Sequence, residues 1–481
     1  MTVVTVPGSG APGTQPPITL SSSAGANSDL AQAIGALLAT LPGGTNLTTT
    51  AGAVSGAPTT PAGATQILQL TSSADIDVQT AGYEYIYDTG GQATTVTGSG
   101  VAILVGDGGG QFNVSNSTVA GTTGNNTVVG TNGYLIQTGD GNSVVFANGS
   151  GVVSTAGSNI VVSNPTAGGN VIYSSGTDLI VAASGATTIN ASGDGSGILG
   201  GASGSITADV TANAVTISSA GTDLAATVSG DNAVIFGGSG TTTLDLTGSN
   251  GTLAAADTLA GGSGAETVDA SGGSSRSYYF GGTGPLSFVG GAGMATIVGA
   301  PTGTEAVTVG SGGLVFSAYL TDNASTITAG SGSGGSTIFG GADSDVTYTT
   351  SSTAAGAALF NAGAGNETLD AGGSSTNNNF FAGTGSETIT GGSGDNWFDF
   401  NATLTGGAAD IITDYHAGDK LALVGYDTTQ SAASVLGNAT VSGAGVTLAL
   451  SDNTKITFTD LSSTDLLKNS ILYGPNPTTP V

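Results

Sequence analysis

The sequence predicts an all-β chain: a parallel β-solenoid or β-roll, with a short N-terminal helix and a C-terminal β-sandwich-like cap. Three observations predict it. Between Ala362 and Asp399 a nonapeptide recurs in the form G-G-x-G-x-(acid or amide)-x-U-x, with U large and apolar, as in AGAGNETLD, AGTGSETIT and GGSGDNWFD. Short β-prone apolar triplets recur along most of the chain at a spacing often near nine. Finally, 85 of the 481 residues are glycine, the residue a tight turn needs where a Cβ would be penalised. Such periods mark stacked coils that bury a shared core.

The charge balance narrows the partners. There are 32 acidic residues against 4 Lys+Arg, a net charge of −28. So acidic a chain offers no surface for phosphates, which excludes nucleic acid as a partner. Uncompensated charge also opposes compaction, and divalent counter-ions relieve it. With no cysteine there is no disulfide framework. No apolar run approaches the roughly 20 residues of a membrane-spanning helix. The start, MTVVTVPGSGAPGTQPP, has neither the basic residues nor the apolar core of a secretory signal, so an exported chain is expected to carry its signal elsewhere.

In chain order, residues 1–65 are rich in Pro, Gly, Ser, Thr and Ala and are expected to be largely extended or flexible. One island, near residues 28–41, places Leu30, Ile34, Leu37, Leu38 and Leu41 on one face and stops at Pro42-Gly43-Gly44, which predicts a helix. Residues 66–260 form a predicted solenoid with degenerate repeats. There GTTGNNTVV and TGDGNSVVF put Asn126 and Ser143 at the acid position, so side-chain hydrogen bonds and amide ladders are expected instead of metal. Tyr83, Tyr85 and Tyr87 suggest a strand with one tyrosine face.

Residues 261–400 hold a duplication. Residues 261–298 align without gaps to 362–399, and both copies carry a two-residue insert, Ala270-Ser271 and Ala371-Gly372. The U positions are Val268, Tyr279, Phe288 and Ile297 in the first copy and Leu369, Phe380, Ile389 and Phe398 in the second. This is the pattern of a core stripe. Acid positions read Glu266, Ser277, Leu286 and Ala295, then Glu367, Asn378, Glu387 and Asn396. Two nonapeptides make a coil, so Glu367 stacks on Glu387 and Asn378 on Asn396. Calcium takes six to eight hard oxygen ligands. The second copy is therefore the expected Ca²⁺-bearing one. Its candidate ligands are Glu367 and Glu387, the turn residues Gly383, Gly385, Gly392 and Gly394, and Asp395, Asn396 and Asp399.

Residues 401–481 resemble a known family. Asp410, Ile412, Asp414, Tyr415, Gly418, Asp419, Lys420, Leu421 and Leu423, followed by Asp460-Leu461 and Asp465-Leu466-Leu467, are similar to the C-terminal ends of RTX proteins, the hemolysin-type calcium-binding repeat proteins exported by type I secretion. The resemblance covers residues 362–473. It implies a Ca²⁺-folded roll, an RTX cap, an uncleaved C-terminal export signal and further acidic ligands at Asp410, Asp414 and Asp419. Where the nonapeptide acid is Glu, Asn or apolar, the chain departs from the family.

Catalysis is not expected. His416, Arg276, Lys420, Lys455 and Lys468 are the cationic side chains. No nucleophile elbow, zinc-protease motif or cysteine nucleophile occurs. The resemblance favours a self-assembling, surface-layer-like protein of a Gram-negative bacterium, secreted or at the cell surface. Its expected partner is itself, as a calcium-linked homopolymer. The competing expectation is a calcium-dependent adhesin that binds a cell-surface polysaccharide or other surface through its N-terminal half.

Overall fold

Every repeat contributes a strand of three to six residues whose side chains point alternately to the two faces of a sheet. The computed structural model describes residues 2–6, 18–22, 45–50, 54, 65–70, 76–79, 82–88, 94–104 and 109–474, without 122–123, 166–167, 251, 253–254, 319–323, 343–344, 351–354 and 427–430. The helix expected near residues 28–41 lies outside the described residues. Two compact units, Met1–Ala226 and Thr227–Val481, make up the chain. Each is a parallel β-solenoid in which a strand pairs with the strands two before and two after it.

In the first unit, sheet I includes Tyr134–Gln137, Gly151–Thr155, Gly169–Ser174, Ala186–Ala191 and Ser205–Val210. Sheet II includes Asn126–Gly130, Val144–Asn148, Ile160–Asn164, Leu179–Ala182, Gly197–Gly200 and Thr216–Ser218. Inward positions stack in files. Val128, Val145, Val161, Ile180, Ile198 and Ile217 follow one another in register on sheet II, all buried. Branched side chains suit this pleated surface, and each fully buried one contributes about 1.5–3 kcal/mol. The ladder begins earlier than residue 66, because Thr45–Thr50 already pairs in parallel with Thr65–Leu70; Thr2–Val6 pairs antiparallel with Ile18–Ser22 as a separate two-stranded sheet. The threonine-rich Thr45–Thr50 lacks the apolar triplets that flagged the later strands. Tyr83 precedes the strand Tyr85–Asp88 and is buried, so it does not extend a tyrosine face.

The second unit continues the same alternation. Its sheet I runs through Thr242–Leu246, Glu266–Asp269, Leu286–Val289, Glu305–Val309, Ser325–Ala329, Val346–Thr350, Thr368–Asp370, Thr388–Thr390 and Ala409–Ile412. Sheet II runs from Val234–Phe236 through Asp257–Ala260, Ser277–Phe280 and later strands to Trp397–Asn401, Lys420–Val424 and Ile471–Gly474. All eight predicted U residues are buried, and those of each copy stand in register. Phe380 and Phe398 stack at 5.4 Å between ring centroids, and Tyr415 meets Phe398 at 5.7 Å and Phe458 at 5.0 Å. Beyond Val424 the repeat stops. A six-residue helix, Ala432–Gly437, is capped by Ser431. The antiparallel strands Thr440–Ser442, Gly445–Ala449 and Lys455–Phe458 follow, and the last rejoins sheet I beside Ala409–Ile412.

Polar side chains close the first unit's coils. Asn126, Ser143, Asn159, Asp178 and Ser196 form one buried file at the start of successive sheet II strands. The backbone N–H of Asn126 donates to Ser143 Oγ, that of Ser143 to Asn159 Oδ1, that of Asn159 to Asp178 Oδ1 and that of Asp178 to Ser196 Oγ. The expected side-chain ladder is therefore present in the first unit. Asp178 Oδ2 also accepts from Thr155 Oγ1 and Ser174 Oγ. Replacing Asp178 by Ala leaves the buried Asn159 N–H without its acceptor, at a cost of about 1–3 kcal/mol, and also removes the contacts from Thr155 Oγ1, Ser174 Oγ and Asn159 Nδ2. A loss of at least ~2 kcal/mol is expected in urea unfolding of D178A; a loss within ~0.5 kcal/mol would contradict the ladder.

Candidate functional site

The acid position and U lie two residues apart on one strand, so both face inward. Glu266–Asp269 alternates buried and exposed, with Glu266 and Val268 inside. The acid is thus buried at the edge of the core. In register on sheet I stand Glu266, Leu286 and Glu305, and later Val346, Glu367, Glu387 and Asp410. Glu305 was not singled out from the sequence, although Glu305-Ala-Val307 has the same acid-x-apolar spacing as Glu266-Thr-Val268.

Hydrogen bonds separate two kinds of buried carboxylate. Glu266 accepts from Gly262 N–H and Tyr279 Oη, and Glu305 from Ala300 N–H and Ser325 Oγ. Both oxygens of each are used. Glu367 Oε1 accepts from Gly363 N–H at 3.0 Å, Glu387 Oε1 from Gly383 N–H at 3.3 Å, and Asp410 Oδ1 from Glu387 N–H at 3.0 Å. Their other oxygens, Glu367 Oε2, Glu387 Oε2 and Asp410 Oδ2, are buried and receive no N–H or hydroxyl donor, while the Glu387 carboxyl lies within hydrogen-bonding reach of those of Glu367 and Asp410. Burial pushes the Glu367 carboxyl up to about 7. Burial, then the neighbouring Asp410, holds Glu387 well above the carboxylate range, and burial raises Asp410 as well.

The opposite edge is closed by its own hydrogen bonds. Asn378 N–H donates to Asn396 Oδ1 at 3.0 Å and Asn396 N–H to Asp419 Oδ1 at 2.8 Å. Asp419 Oδ2 accepts from His416 N–H at 2.9 Å. Asp414 takes Gly391 N–H on Oδ1 and Gly392 N–H on Oδ2, at 2.6 and 2.7 Å. Asp395 is exposed and Asp399 is half-buried on sheet II. Gly383 and Gly385 serve close approach between coils: an added Cβ would lie 1.8 Å from Gly363 O and 1.5 Å from Gly365 O. Gly394 packs likewise on Thr376 O, and Gly392 adopts φ +89°. Of the candidate ligands, only Glu367, Glu387 and Asp410 come together with unpaired oxygens.

These three fit a hard cation in their chemistry, as buried oxygens without a donor. Among the described residues no group of three or more His, Cys, Asp or Glu side chains is arranged to hold a metal ion, so these three carboxylates do not by themselves make a coordination shell. His416 lies against the Gly392 and Ala417 carbonyls, and Lys468 pairs with exposed Asp465.

Asp257 offers a pH test away from these residues. Its Oδ1 accepts Ala233 N–H at 2.9 Å, and burial pushes its carboxyl from 3.8 up to about 6. The stability tied to this proton is complete below pH 3.8 and is lost as pH rises through about 6. Replacing Asp257 by Asn keeps an acceptor for Ala233 and removes the charge. Thermal unfolding of D257N is expected to match the parent near pH 3.8 and to exceed it at roughly pH 8, by on the order of 2 kcal/mol. Parallel pH profiles would contradict the assignment. No protein-family model, no curated protein and no solved structure matches this chain.

Proposed function

We propose that this chain is an extracellular structural protein that assembles with copies of itself, with Ca²⁺ held in its C-terminal coils. What carries the reading is the make-up of the described chain. It is coil upon coil of parallel sheet, with no converging catalytic groups among the described residues and with 32 acidic side chains against 4 basic ones. Such a chain has its own surface to offer. The antiparallel strands after Val424 read as the RTX-like cap, and the segment containing them as the signal for type I export.

Ca²⁺ would be held by Glu367, Glu387 and Asp410, and its charge would neutralise carboxylates that burial otherwise disfavours. Because it binds the folded form, it stabilises by mass action, about 2.7 kcal/mol at a hundredfold excess over its dissociation constant. Low calcium would then leave these coils less stable before export.

One observation favours the second reading, an adhesin. On sheet I of the first unit, Tyr173, Asn190 and Asp209 stand in register beside a shallow concavity of about 160 Å³. An aromatic ring with amide and carboxylate neighbours suits a neutral sugar.

Sedimentation of the full chain across a calcium titration tests the proposal. Assembly is expected with Ca²⁺ and its reversal with EDTA. Replacing both Glu367 and Glu387 by Gln is expected to raise the calcium requirement about tenfold, equivalent to ~1.4 kcal/mol. E266Q, whose carboxyl is already paired, is expected to leave it nearly unchanged. A chain that stays monomeric at every calcium concentration would defeat the structural reading in favour of the adhesin.

A further inference from the structure

The two sheets send different side chains outward. On sheet II of the first unit, Ile160 and Leu179 stand in one outward file and Phe146, Val162, Val181 and Leu199 in the next. Ile160 is 42 % exposed, and Phe146, Leu179 and Leu199 are exposed as well. From Asn126–Gly130 to Thr216–Ser218, the outward positions of this sheet carry no charged residue. Sheet I of the same unit exposes Leu135 and Tyr173 on its earlier strands, but its later strands present Thr188, Asn190, Thr207 and Asp209. The second unit repeats the contrast on its sheet II strands before Trp397–Asn401, where Asp399 and then Lys420 bring charge outward. Phe236, Phe280 and Phe339 lie in one outward file of its sheet II, with Phe280 49 % exposed. Asp245, Asp269 and Asp370 lie on its sheet I strands.

An outward file of Phe, Ile and Leu is not what a solvated sheet face requires, and contiguous exposed apolar surface marks an interaction site. The charge of the chain selects the occupant. Two copies each carrying −28 repel wherever their acids meet, and that repulsion is least where both faces are uncharged. Sheets pack face to face about 10 Å apart through interdigitating side chains. We infer that the outward face of sheet II is the surface on which a second copy of this chain docks, an inference that rests on the self-assembly reading. Strands spaced about 4.8 Å apart make the first unit's apolar strip only ~20 Å long. That is small against the roughly 800 Å² per partner of a stable complex. The contact therefore holds by repetition in a growing assembly, and isolated dimers are short-lived.

The test uses the full chain in millimolar Ca²⁺, comparing L179D and F280D with T207D, which adds the same charge to sheet I. Circular dichroism checks folding, and L179T and F280T keep a strand-forming residue should either aspartate variant misfold. The critical concentration for sedimentable assemblies is expected to rise at least tenfold in the sheet II variants, to rise less in the threonine pair, and to stay at the parent value in T207D. Assembly of the sheet II variants at the parent concentration would overturn the docking surface and leave self-assembly standing. A parent chain that never sediments would overturn both. Flotation of a monomeric parent with neutral phosphatidylcholine vesicles, lost in L179D, would assign the strip to lipid and overturn the second copy as occupant.

Discussion

A two-residue spacing governs this protein. On a strand, residues i and i+2 share a face, so an acid or amide two residues before a core apolar residue of the same strand is carried inside with it, as at Glu266, Glu367 and Asp410. An interior polar group must find a partner. Here it finds the backbone of the neighbouring coil. In the first unit Asp178 receives Asn159 N–H; in the second, Asn396 receives Asn378 N–H and Asp410 receives Glu387 N–H. The apolar file supplies the burial and the polar file fixes the register. A slip of one residue would turn both files to solvent at once.

The same rule explains why the chain tolerates so much charge and so much glycine. At Glu266 and Glu305 both oxygens of the inward carboxylate are hydrogen-bonded, so the coil buries no unpartnered oxygen there. At Glu367, Glu387 and Asp410 one oxygen of each is left over, and there a proton or a cation has the most to offer. Glycine follows from the stacking. Where Gly383 lies over the Gly363 carbonyl, a side chain would force the coils apart and break the files.

Much of this was legible in residues. The duplicated U positions, from Val268 to Phe398, read directly as a core stripe because large apolar residues at a fixed period have no other economical explanation. The stacking of Glu367 on Glu387, and of Glu266 on Leu286, followed from counting two nonapeptides to a coil. Asn126 and Ser143 were recognisable as ladder positions. Less legible was the direction of the acid. The motif marked the acid as a candidate ligand, while its distance of two residues from U already implied an inward side chain. Glu305 and Asp257 escaped because their flanks lack the full glycine pattern. The outward apolar files of sheet II were hidden for another reason. Leu179 and Ile180 are adjacent in sequence, and only the structure shows which is core and which is surface.

The register of the acid file is the claim on which the rest turns, and disulfide trapping measures it. The chain has no cysteine, so an introduced pair reports unambiguously. Thr368 and Thr388 are direct neighbours on sheet I, each one residue beyond Glu367 and Glu387. Parallel neighbours about 4.8 Å apart fall within the Cα separation a disulfide accepts. Under mild oxidation, T368C with T388C is expected to cross-link within one chain rapidly, and T368C with T390C far more slowly. Preferential cross-linking of the second pair, or of neither, would show that Glu367 and Glu387 do not stack and would remove the buried carboxylate column.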